Sequence, residues 1–332
     1  MILQDRIGLL SRLGNYMLSD DARWEQAKKK AFLQNGWFIP EFIELATKNI
    51  ARKFLTEDGL VEWAARYQVQ NTNSKPRSIG IVMAGNIPLV GFHDLLSVFI
   101  TGHRAIIKPS SKDEVLAKEV VDVLKNWEPL VNDLIRFSEM LKDCDAYIAT
   151  GSNNTSRYFE YYFGKYPHII RRNRTSVAVL SGNETGAELE ALANDVYEFF
   201  GLGCRNVTKL YVPMGYAFEP LLAAFKKYTY LADHHKYKNN YDYNLALHML
   251  NNKFYMTNGS ILLIEDSPIF SPISQLNYEY YASSDELLSS LYHNQDIQGI
   301  VEKNHIPFGR AQSPGLFDYA DGVDTMEFLQ SL

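Results

Sequence analysis

The stretch 79–91, IGIVMAGNIPLVG, marks where the sequence changes from a helical pattern to alternating strands and helices. Its first part, IGIVMAG, is a short apolar run rich in β-branched side chains, which is typical of a buried strand. The second part, NIPLVG, contains a proline and leads as a loop into the helical pattern FHDLLSVFITG. Because residues 1 to about 70 predict helices, we expect a helical N-terminal layer followed by an α/β region.

The segments after this stretch alternate between strand and helix. Strands are predicted at RAIIKPS, DAYIATGS, TSVAVLSG and VTKLYVP, with helices between them. This alternation predicts an α/β fold built on a doubly wound parallel sheet with right-handed crossovers. Ligands gather at the carboxyl ends of the strands in such sheets, and Asn86, Lys108 and Gly151 fall there. A second αβ unit is expected to begin near residue 180.

Composition narrows the class of protein. The chain has 332 residues, 46% of them apolar and 22% charged, and a net charge of -6 gives no basic footprint for nucleic acid. Its two cysteines, Cys144 and Cys204, suggest neither a disulfide framework nor a thiolate zinc site, which fits a reducing cytoplasm. The N-terminus lacks a basic region followed by a clean apolar run, and His93 and Asp94 interrupt the most apolar stretch, so we expect neither a secretion signal nor a membrane span. Small molecules or proteins are the expected partners.

Two loops after predicted strands carry polar side chains suited to chemistry. Asn86, in MAGNIPLVG, can aim its amide at an oxyanion, although asparagine before a loop proline is more often a turn residue. Lys108 ends the next strand and is followed by Pro-Ser-Ser, with Ser110 and Ser111 opening a helix. These groups can bind the hydroxyls or phosphates of a nucleotide, or they are a solvated lysine before a capped helix.

A third loop, ATGSNNTS, places Gly151 and Ser152 between a strand and a helix. Backbone amides in such a turn can contact a pyrophosphate. The pattern is not GxGxxG, however, and a Gly-Ser turn on its own is common.

Cys204 lies in the stretch EFFGLGCRNVTKLYVP, in a turn between a predicted helix end and the predicted strand VTKLYVP. Gly201 and Gly203 allow positive φ angles and the close approach of another molecule. A nucleophilic thiolate needs solvent access and donors for an oxyanion, whereas a lone cysteine is commonly a small buried hydrophobe. Cys144, just before a strand, is predicted to serve packing only.

Taken in order, these motifs resemble those of the aldehyde dehydrogenase superfamily. GNIPLV is similar to its proline-and-asparagine loop, IIKPSS to its lysine motif, ATGS to its Gly-Ser turn and GLGC to its nucleophile motif. Later, SPIFSP is similar to its Phe-Gly-Pro segment and HIPFGRAQSPG to its closing Phe-Gly loop. The resemblance runs from about residue 76 to 320, and it is carried by the order and spacing of the motifs.

Three departures resemble the acyl-CoA reductases of the LuxC type more than aldehyde oxidisers. Val179 stands where the oxidisers carry a glutamate base, and Pro268 where they carry a glutamate that holds the cofactor ribose. Ser111 stands where the lysine motif often continues into glutamate, and such a glutamate would repel a 2'-phosphate. The phosphorylated nicotinamide cofactor is therefore expected to be accepted.

The resemblance implies an oxidoreductase that converts an acyl-CoA thioester to an aldehyde with NADPH or NADH. Cys204 would be the nucleophile and Asn86 an oxyanion donor, with coenzyme A part of the substrate and no metal. The cofactor would be bound by the following residues: Lys108, Ser110, Ser111, Gly151 and Ser152. The implied domains are N-terminal helices plus a cofactor-binding α/β domain over 1–180, a catalytic α/β domain over 181–320 and a tail over 321–332.

Several alternatives stay open at this point. The first alternative is an aldehyde or semialdehyde dehydrogenase that uses another general base in place of the missing glutamate. Glu184 and Glu198 are the nearest carboxylates in sequence. A non-catalytic protein that retains the fold is the other alternative. His234 and His235 are either surface polar residues, the reading we favour, or proton-transfer groups for the thiol. A homo-oligomer and a complex with an acyl-supplying enzyme are both open.

Overall fold

The computed structural model describes all residues 1–332, which form two compact units. The first unit comprises Met1–Asn173 together with Pro314–Leu332, and the second unit comprises Arg174–Ser313. The first boundary thus lies ahead of residue 180, because the strand at Thr175–Val179 pairs with strands of the second unit. The residues expected to form a separate tail belong to the first unit.

The first unit contains an N-terminal layer of four helices, as the sequence predicts, and a parallel sheet. Its helices are α1 (Leu3–Met17), α2 (Ala22–Gln34), α3 (Pro40–Phe54), α4 (Glu57–Arg66), α5 (Phe92–Ile100), α6 (Glu114–Trp127), α7 (Val131–Leu134), α8 (Asn153–Phe163) and α13 (Thr325–Gln330). Asp21 caps α2 by accepting a hydrogen bond from the N–H of Arg23, and Pro40 opens α3.

The sheet of the first unit has five parallel strands in the order β3-β2-β1-β4-β5. These strands are β1 (Ser78–Val82), β2 (Arg104–Lys108), β3 (Ile135–Phe137), β4 (Ala146–Thr150) and β5 (His168–Arg171). The chain winds outward from β1 in both directions, so the predicted doubly wound arrangement is confirmed. The short edge strands β3 and β5 lie outside the segments for which the sequence predicted strands.

The C-terminal helix α13 completes the core of the first unit. Met326 and Leu329 are buried in the same apolar cluster as the strands β1 and β2. Arg171, at the end of β5, donates hydrogen bonds to the Asp94 carboxylate at 2.5 Å and to the Thr325 hydroxyl at 2.8 Å. These buried contacts hold α13 against α5 and β5.

The second unit is built on a six-stranded mixed sheet in the order β11-β6-β7-β10-β9-β8, in which only β8 runs antiparallel to its neighbour. Its strands are β6 (Thr175–Val179), β7 (Val207–Pro213), β8 (Met256–Thr257), β9 (Leu262–Glu265), β10 (Gln275–Tyr281) and β11 (Ile297–Val301). Its helices are α9 (Gly186–Tyr197), α10 (Glu219–Ala224), α11 (His235–Leu250) and α12 (Ser284–Tyr292). None of the helices in the chain has both the length and the apolar character that crossing a bilayer requires.

Candidate active site

The loop after β1 and the loop after β2 pack closely against each other in the first unit. Gly85 is essential to this contact, because a Cβ atom there would lie 2.6 Å from the Cβ of Ser110. The N–H of Met83 donates to the carbonyl of Lys108 at 3.1 Å, which joins the two loops at their start. Asn86, one residue beyond Gly85, is half-buried and lies at the carboxyl edge of the sheet.

Lys108 is exposed at the end of β2, and the serines that follow form a turn into α6. The Ser110 hydroxyl accepts a hydrogen bond from the N–H of Lys112 at 3.3 Å, and its carbonyl accepts one from the N–H of Asp113 at 3.0 Å. Ser111 is exposed in this turn. An exposed ammonium group beside two hydroxyls is a donor set suited to the sugar and phosphates of a nucleotide.

Gly151 and Ser152 form the turn between β4 and α8. A Cβ on Gly151 would lie 2.9 Å from the Phe159 ring, so only glycine fits there. The Ser152 hydroxyl caps α8 by accepting a hydrogen bond from the N–H of Thr155 at 3.3 Å. Because β2, β1 and β4 are adjacent and parallel, their loops leave the sheet at one edge. The structure therefore brings together at this edge the predicted residues of the first unit: Asn86, Lys108, Ser110, Ser111, Gly151 and Ser152.

The turn that carries Cys204 begins with a strained backbone in the second unit. The pattern GAELEALANDVYEFF predicts a helix over 186–200, but α9 ends at Tyr197. Phe199 and Phe200 are both buried and both have positive φ, at 55° and 57°. Two such residues in succession are rare, since a side chain disfavours this region, and strain of this kind gathers at functional sites.

Packing from a distant helix stabilises this conformation. The Phe200 ring packs against His234, with ring centroids 4.6 Å apart, and against Tyr237 at 5.7 Å. His234 also caps α11, its ring Nδ1 accepting a hydrogen bond from the N–H of Tyr237 at 3.4 Å. Its neighbour His235 lies beside the amide of Asn239. His234 thus has a structural role in shaping the turn.

Asn206 fixes the Cys204 turn from within. Its side chain is fully buried, and its Oδ1 accepts a hydrogen bond from the N–H of Gly203 at 2.8 Å. Its Nδ2 donates to the carbonyls of Glu198 at 2.8 Å and Asp195 at 3.0 Å, at the end of α9. The half-buried Cys204 is therefore held between α9 and β7 by one asparagine.

Cys144 differs from Cys204 in its surroundings. It is only 4% exposed and packs in the first unit with Ile106 and Tyr147. Burial raises the pKa of its thiol, which disfavours the nucleophilic thiolate. Neither cysteine forms a disulfide.

The end of β6 carries no carboxylate at the position of Val179. This side chain is 3% exposed and packs with Val177, Tyr211 and Ile300. Glu184, a few residues on, accepts hydrogen bonds from the N–H of Ser181 at 2.7 Å, from its hydroxyl at 2.8 Å and from the N–H of Gly182 at 3.1 Å. Its carboxylate is thus engaged in closing its own turn.

Asp195 is a site residue that sequence reasoning missed. It is fully buried on α9, and its carboxylate accepts hydrogen bonds from the N–H of Gly309 at 2.6 Å and of Ala311 at 2.9 Å. Burial raises its pKa to about 7, although both N–H donors oppose the rise. Asp195 therefore anchors the Phe-Gly loop to the helix that also supports the Cys204 turn. A lone acid in the apolar part of an otherwise amphipathic helix was the one available signal.

Lys209 on β7 was also missed. Its side chain is buried, donates to the carbonyl of Asp266 and lies 3.0 Å from the Glu279 carboxylate. Burial lowers its pKa. Through these contacts Lys209 fixes the start of the segment SPIFSP, in which the carbonyl of Pro268 accepts a hydrogen bond from the Asn277 amide at 3.0 Å. No group of three or more histidine, cysteine, aspartate or glutamate side chains is placed to bind a metal ion.

Comparisons with known proteins identify the fold. No protein-family model matches the chain, and no curated protein matches its sequence. Among solved structures, aldehyde dehydrogenase 21 from Physcomitrella patens, in complex with the reaction product succinate, matches 91% of this chain and 74% of its own, at 13% identity and a TM-score of 0.68. An NADP-dependent enzyme from E. coli matches 91% and 74%, at 10% identity and a TM-score of 0.66. An aldehyde dehydrogenase from Mycobacterium tuberculosis, complexed with NAD+, matches 87% and 70%, at 14% identity and a TM-score of 0.63. The chain therefore has the aldehyde dehydrogenase fold, as its motifs predict.

Proposed function

We propose that the chain is an NAD(P)H-dependent reductase that converts an acyl-CoA thioester to an aldehyde through an acyl-enzyme on Cys204. The observation that carries the proposal is the Cys204 turn, a half-buried thiol held by Asn206 behind a strained backbone. The motifs that surround it in sequence resemble those of the LuxC-type reductases. The fold supports the coarser class, oxidoreductase chemistry at an aldehyde or acyl carbon.

The thiol chemistry follows from the residues at the turn. The Cys204 thiolate attacks the thioester carbonyl, and the N–H of Cys204 donates to the oxyanion. The resemblance to the aldehyde dehydrogenase superfamily implies the amide of Asn86 as a second donor. The thiolate of coenzyme A then leaves, and the acyl group stays on Cys204. When bound, a reduced nicotinamide cofactor supplies the hydride that takes this acyl group to the aldehyde.

The residues at the carboxyl edge of the first sheet fit a nicotinamide dinucleotide. Gly85 and Gly151 keep the backbone free of Cβ atoms there, and Ser152 opens α8. Lys108 supplies a positive charge and Ser111 a hydroxyl, with no acidic side chain between them in sequence to repel a 2'-phosphate. Both the phosphorylated and the unphosphorylated cofactor are therefore proposed to bind.

The chemistry at β6 favours reduction over release of free acid. Hydrolysis of an acyl-enzyme needs a carboxylate that activates water, and general-base help contributes roughly 10²- to 10⁴-fold. Val179 cannot provide it, and the Glu184 carboxylate is engaged with Ser181 and Gly182. The acyl group then stays on Cys204 until it is reduced by hydride or transferred back to coenzyme A. Acyl-CoA chemistry and two cysteines that form no disulfide are consistent with the cytoplasm as the compartment.

An aldehyde dehydrogenase is the second candidate function, because the fold matches enzymes that bear that name. This function requires a general base for hydrolysis of the acyl-enzyme, and because Val179 cannot act as one, the base must come from another position. Glu198, at the end of α9, is the remaining carboxylate near Cys204 in sequence.

Mass spectrometry of the protein incubated with acetyl-, octanoyl- or palmitoyl-CoA, without cofactor, tests the proposal. A covalent acyl adduct is expected on the wild type and on Cys144→Ala, and none on Cys204→Ala. An adduct that survives in Cys204→Ala would overturn the mechanism. Failure of Cys204 to react with iodoacetamide as well as with every thioester would favour a non-catalytic protein.

A further inference from the structure

We propose that Asp113 is a positioning residue for the oxyanion loop, which we define as residues 83–91 between β1 and α5. In this inference the buried carboxyl group holds the backbone of Leu89 and thereby fixes the direction of the Asn86 amide. It rests on the proposed role of Asn86 in acyl transfer.

Asp113 is placed to cap its own helix but does not do so. It is the residue immediately before α6, where aspartate ordinarily accepts a hydrogen bond from the first turn, yet its side chain makes no such bond. Its Oδ2 instead accepts a hydrogen bond from the N–H of Leu89 at 2.6 Å. The carboxyl group therefore does not cap α6 but binds the loop that follows β1.

The surroundings of Asp113 are apolar and enclosed. The residue is 6% exposed, and its Oδ1 makes no hydrogen bond. No cation contacts it, and burial raises its pKa well above the ordinary value, which favours the protonated form. A buried carboxyl group with a single backbone donor contributes little to stability by itself, since burying a polar group without full hydrogen bonding is costly.

Leu89 is held in a conformation that needs such a contact. Its φ is 55°, in the left-handed region that leucine disfavours, and its side chain is buried. The carbonyl of Leu89 accepts a hydrogen bond from the N–H of Phe92 at 2.9 Å, which begins α5. Loss of the Asp113 contact leaves the N–H of Leu89 without that acceptor and lets the backbone relax.

Asn86 lies between two fixed points of the oxyanion loop. Before it, Gly85 packs on Ser110, and after it Leu89 is bound by Asp113. The partners at these two points, Ser110 and Asp113, both lie in the segment that connects β2 to α6. A misplacement of about 1 Å in a catalytic group can lower a rate about 10²-fold, so the second fixed point affects catalysis without contacting substrate.

The test compares two reactions of Cys204, of which only one forms an oxyanion. The rate of acylation by octanoyl-CoA is measured by rapid quenching and mass spectrometry. The rate of alkylation by iodoacetamide is measured on separate portions of the same protein preparations. The variants are Asp113→Ala, Asp113→Ser, Asp113→Asn and, as a matched control, Asp122→Ala, an exposed aspartate on α6. Hydrogen exchange of peptides covering 83–91 reports on the loop independently of activity.

Asp113→Ala and Asp113→Ser are expected to slow acylation by about ten- to a hundredfold, with unchanged alkylation and faster exchange at Leu89. Asp113→Asn, which keeps an acceptor oxygen, is expected to stay within about threefold of the wild type, as is Asp122→Ala. In Asp113→Ser the serine can cap α6 but is too short to reach the N–H of Leu89. This variant therefore tests the loss of the Leu89 contact even if Asp113→Ala does not fold.

Three outcomes would overturn the inference: wild-type acylation in both Asp113→Ala and Asp113→Ser, equal losses in Asp113→Asn and Asp113→Ala, or parallel losses of acylation and alkylation. If the wild type itself is not acylated, the proposed function fails. Hydrogen exchange at Leu89 then still decides whether Asp113 holds the loop.

Discussion

The side-chain oxygen of Asn206 accepts a hydrogen bond from the backbone N–H of Gly203 at 2.8 Å, across the turn that carries Cys204. The same amide donates to the carbonyl groups at the end of α9. A residue two positions after the thiol thus joins the turn to the helix before it. The backbone next to Cys204 is thus held by the side chain of a fully buried asparagine.

Replacing Asn206 is expected to damage both stability and reactivity. Asn206→Ala removes the partner of the Gly203 N–H and of three carbonyl groups, those of Asp195, Val196 and Glu198, which lowers the free energy of unfolding by about 1–3 kcal/mol or more. Urea denaturation measures the stability, and iodoacetamide alkylation of Cys204 measures the reactivity. Exposed Asn183→Ala should change neither. A stable Asn206→Ala with wild-type alkylation would show that the turn holds itself.

Val179→Glu is not expected to convert the protein into an aldehyde oxidiser. Val179 packs among apolar side chains, so burial raises the pKa of an introduced carboxyl group, and its ionisation destabilises the folded state. The free energy of unfolding of Val179→Glu, relative to Val179→Gln, should therefore fall as the pH rises from 5 to 8. An equal stability at both pH values, with rapid release of free acid from aldehyde, would show that the position faces the thiol.

Wild-type protein given octanal and oxidised cofactor should turn over slowly, and much faster once coenzyme A is added as acyl acceptor. The reason is that no general base near Val179 promotes hydrolysis. The measurement is cofactor reduction together with assay of free octanoate. Rapid octanoate formation that Glu184→Gln or Glu198→Gln abolishes would instead identify a substitute base and favour the oxidiser.

Ser111→Glu should change the cofactor preference. The wild type is expected to accept NADPH, because Lys108, at the end of β2, and Ser111 and Lys112, in the turn that follows, are exposed, whereas the nearby Asp113 is buried. A glutamate there repels the 2'-phosphate, and we expect kcat/KM for NADPH to fall about tenfold relative to NADH, equivalent to about 1.4 kcal/mol. Ser74→Glu, at an exposed serine in the loop that precedes β1 and therefore at the opposite edge of the sheet, is the control. An unchanged ratio would mean that Ser111 does not approach the ribose.

Asp195 should make the free energy of unfolding fall as the pH rises, which is opposite to the effect of most carboxyl groups in proteins. Its pKa rises from 3.8 to about 7 on folding, so the folded state holds a proton that the unfolded state has lost over this range. The free energy of unfolding of the wild type, relative to Asp195→Asn, should therefore fall as the pH rises from about 4 to about 7. Chemical denaturation across this range measures it, with exposed Glu190→Gln as a control. A constant difference would place the pKa near its ordinary value.

The sequence predicted the strands that carry the site because apolar runs and turn residues are local signals. β1, β2, β4, β6 and β7 all fall where the pattern indicated, and so do the loops that carry Asn86, Lys108 and Gly151. The early end of α9 at Tyr197 was not predictable from the local pattern, because the Phe200 ring packs against His234 and Tyr237, which lie far along the chain. The roles of Asp113 and Asp195 were equally hidden, since their partners lie far along the chain.

The return of residues 314–332 to the first unit has a consequence for biosynthesis. The second unit is a single excursion of the chain, entered after Asn173 and left after Ser313. The ribosome therefore delivers the whole second unit before Thr325 can meet Arg171, and before Met326 and Leu329 can close the core around β1. Until residues 325–329 emerge, the apolar side chains of the first unit that pack against Met326 and Leu329 lack this cover, and exposed apolar surface in a partly folded chain favours aggregation.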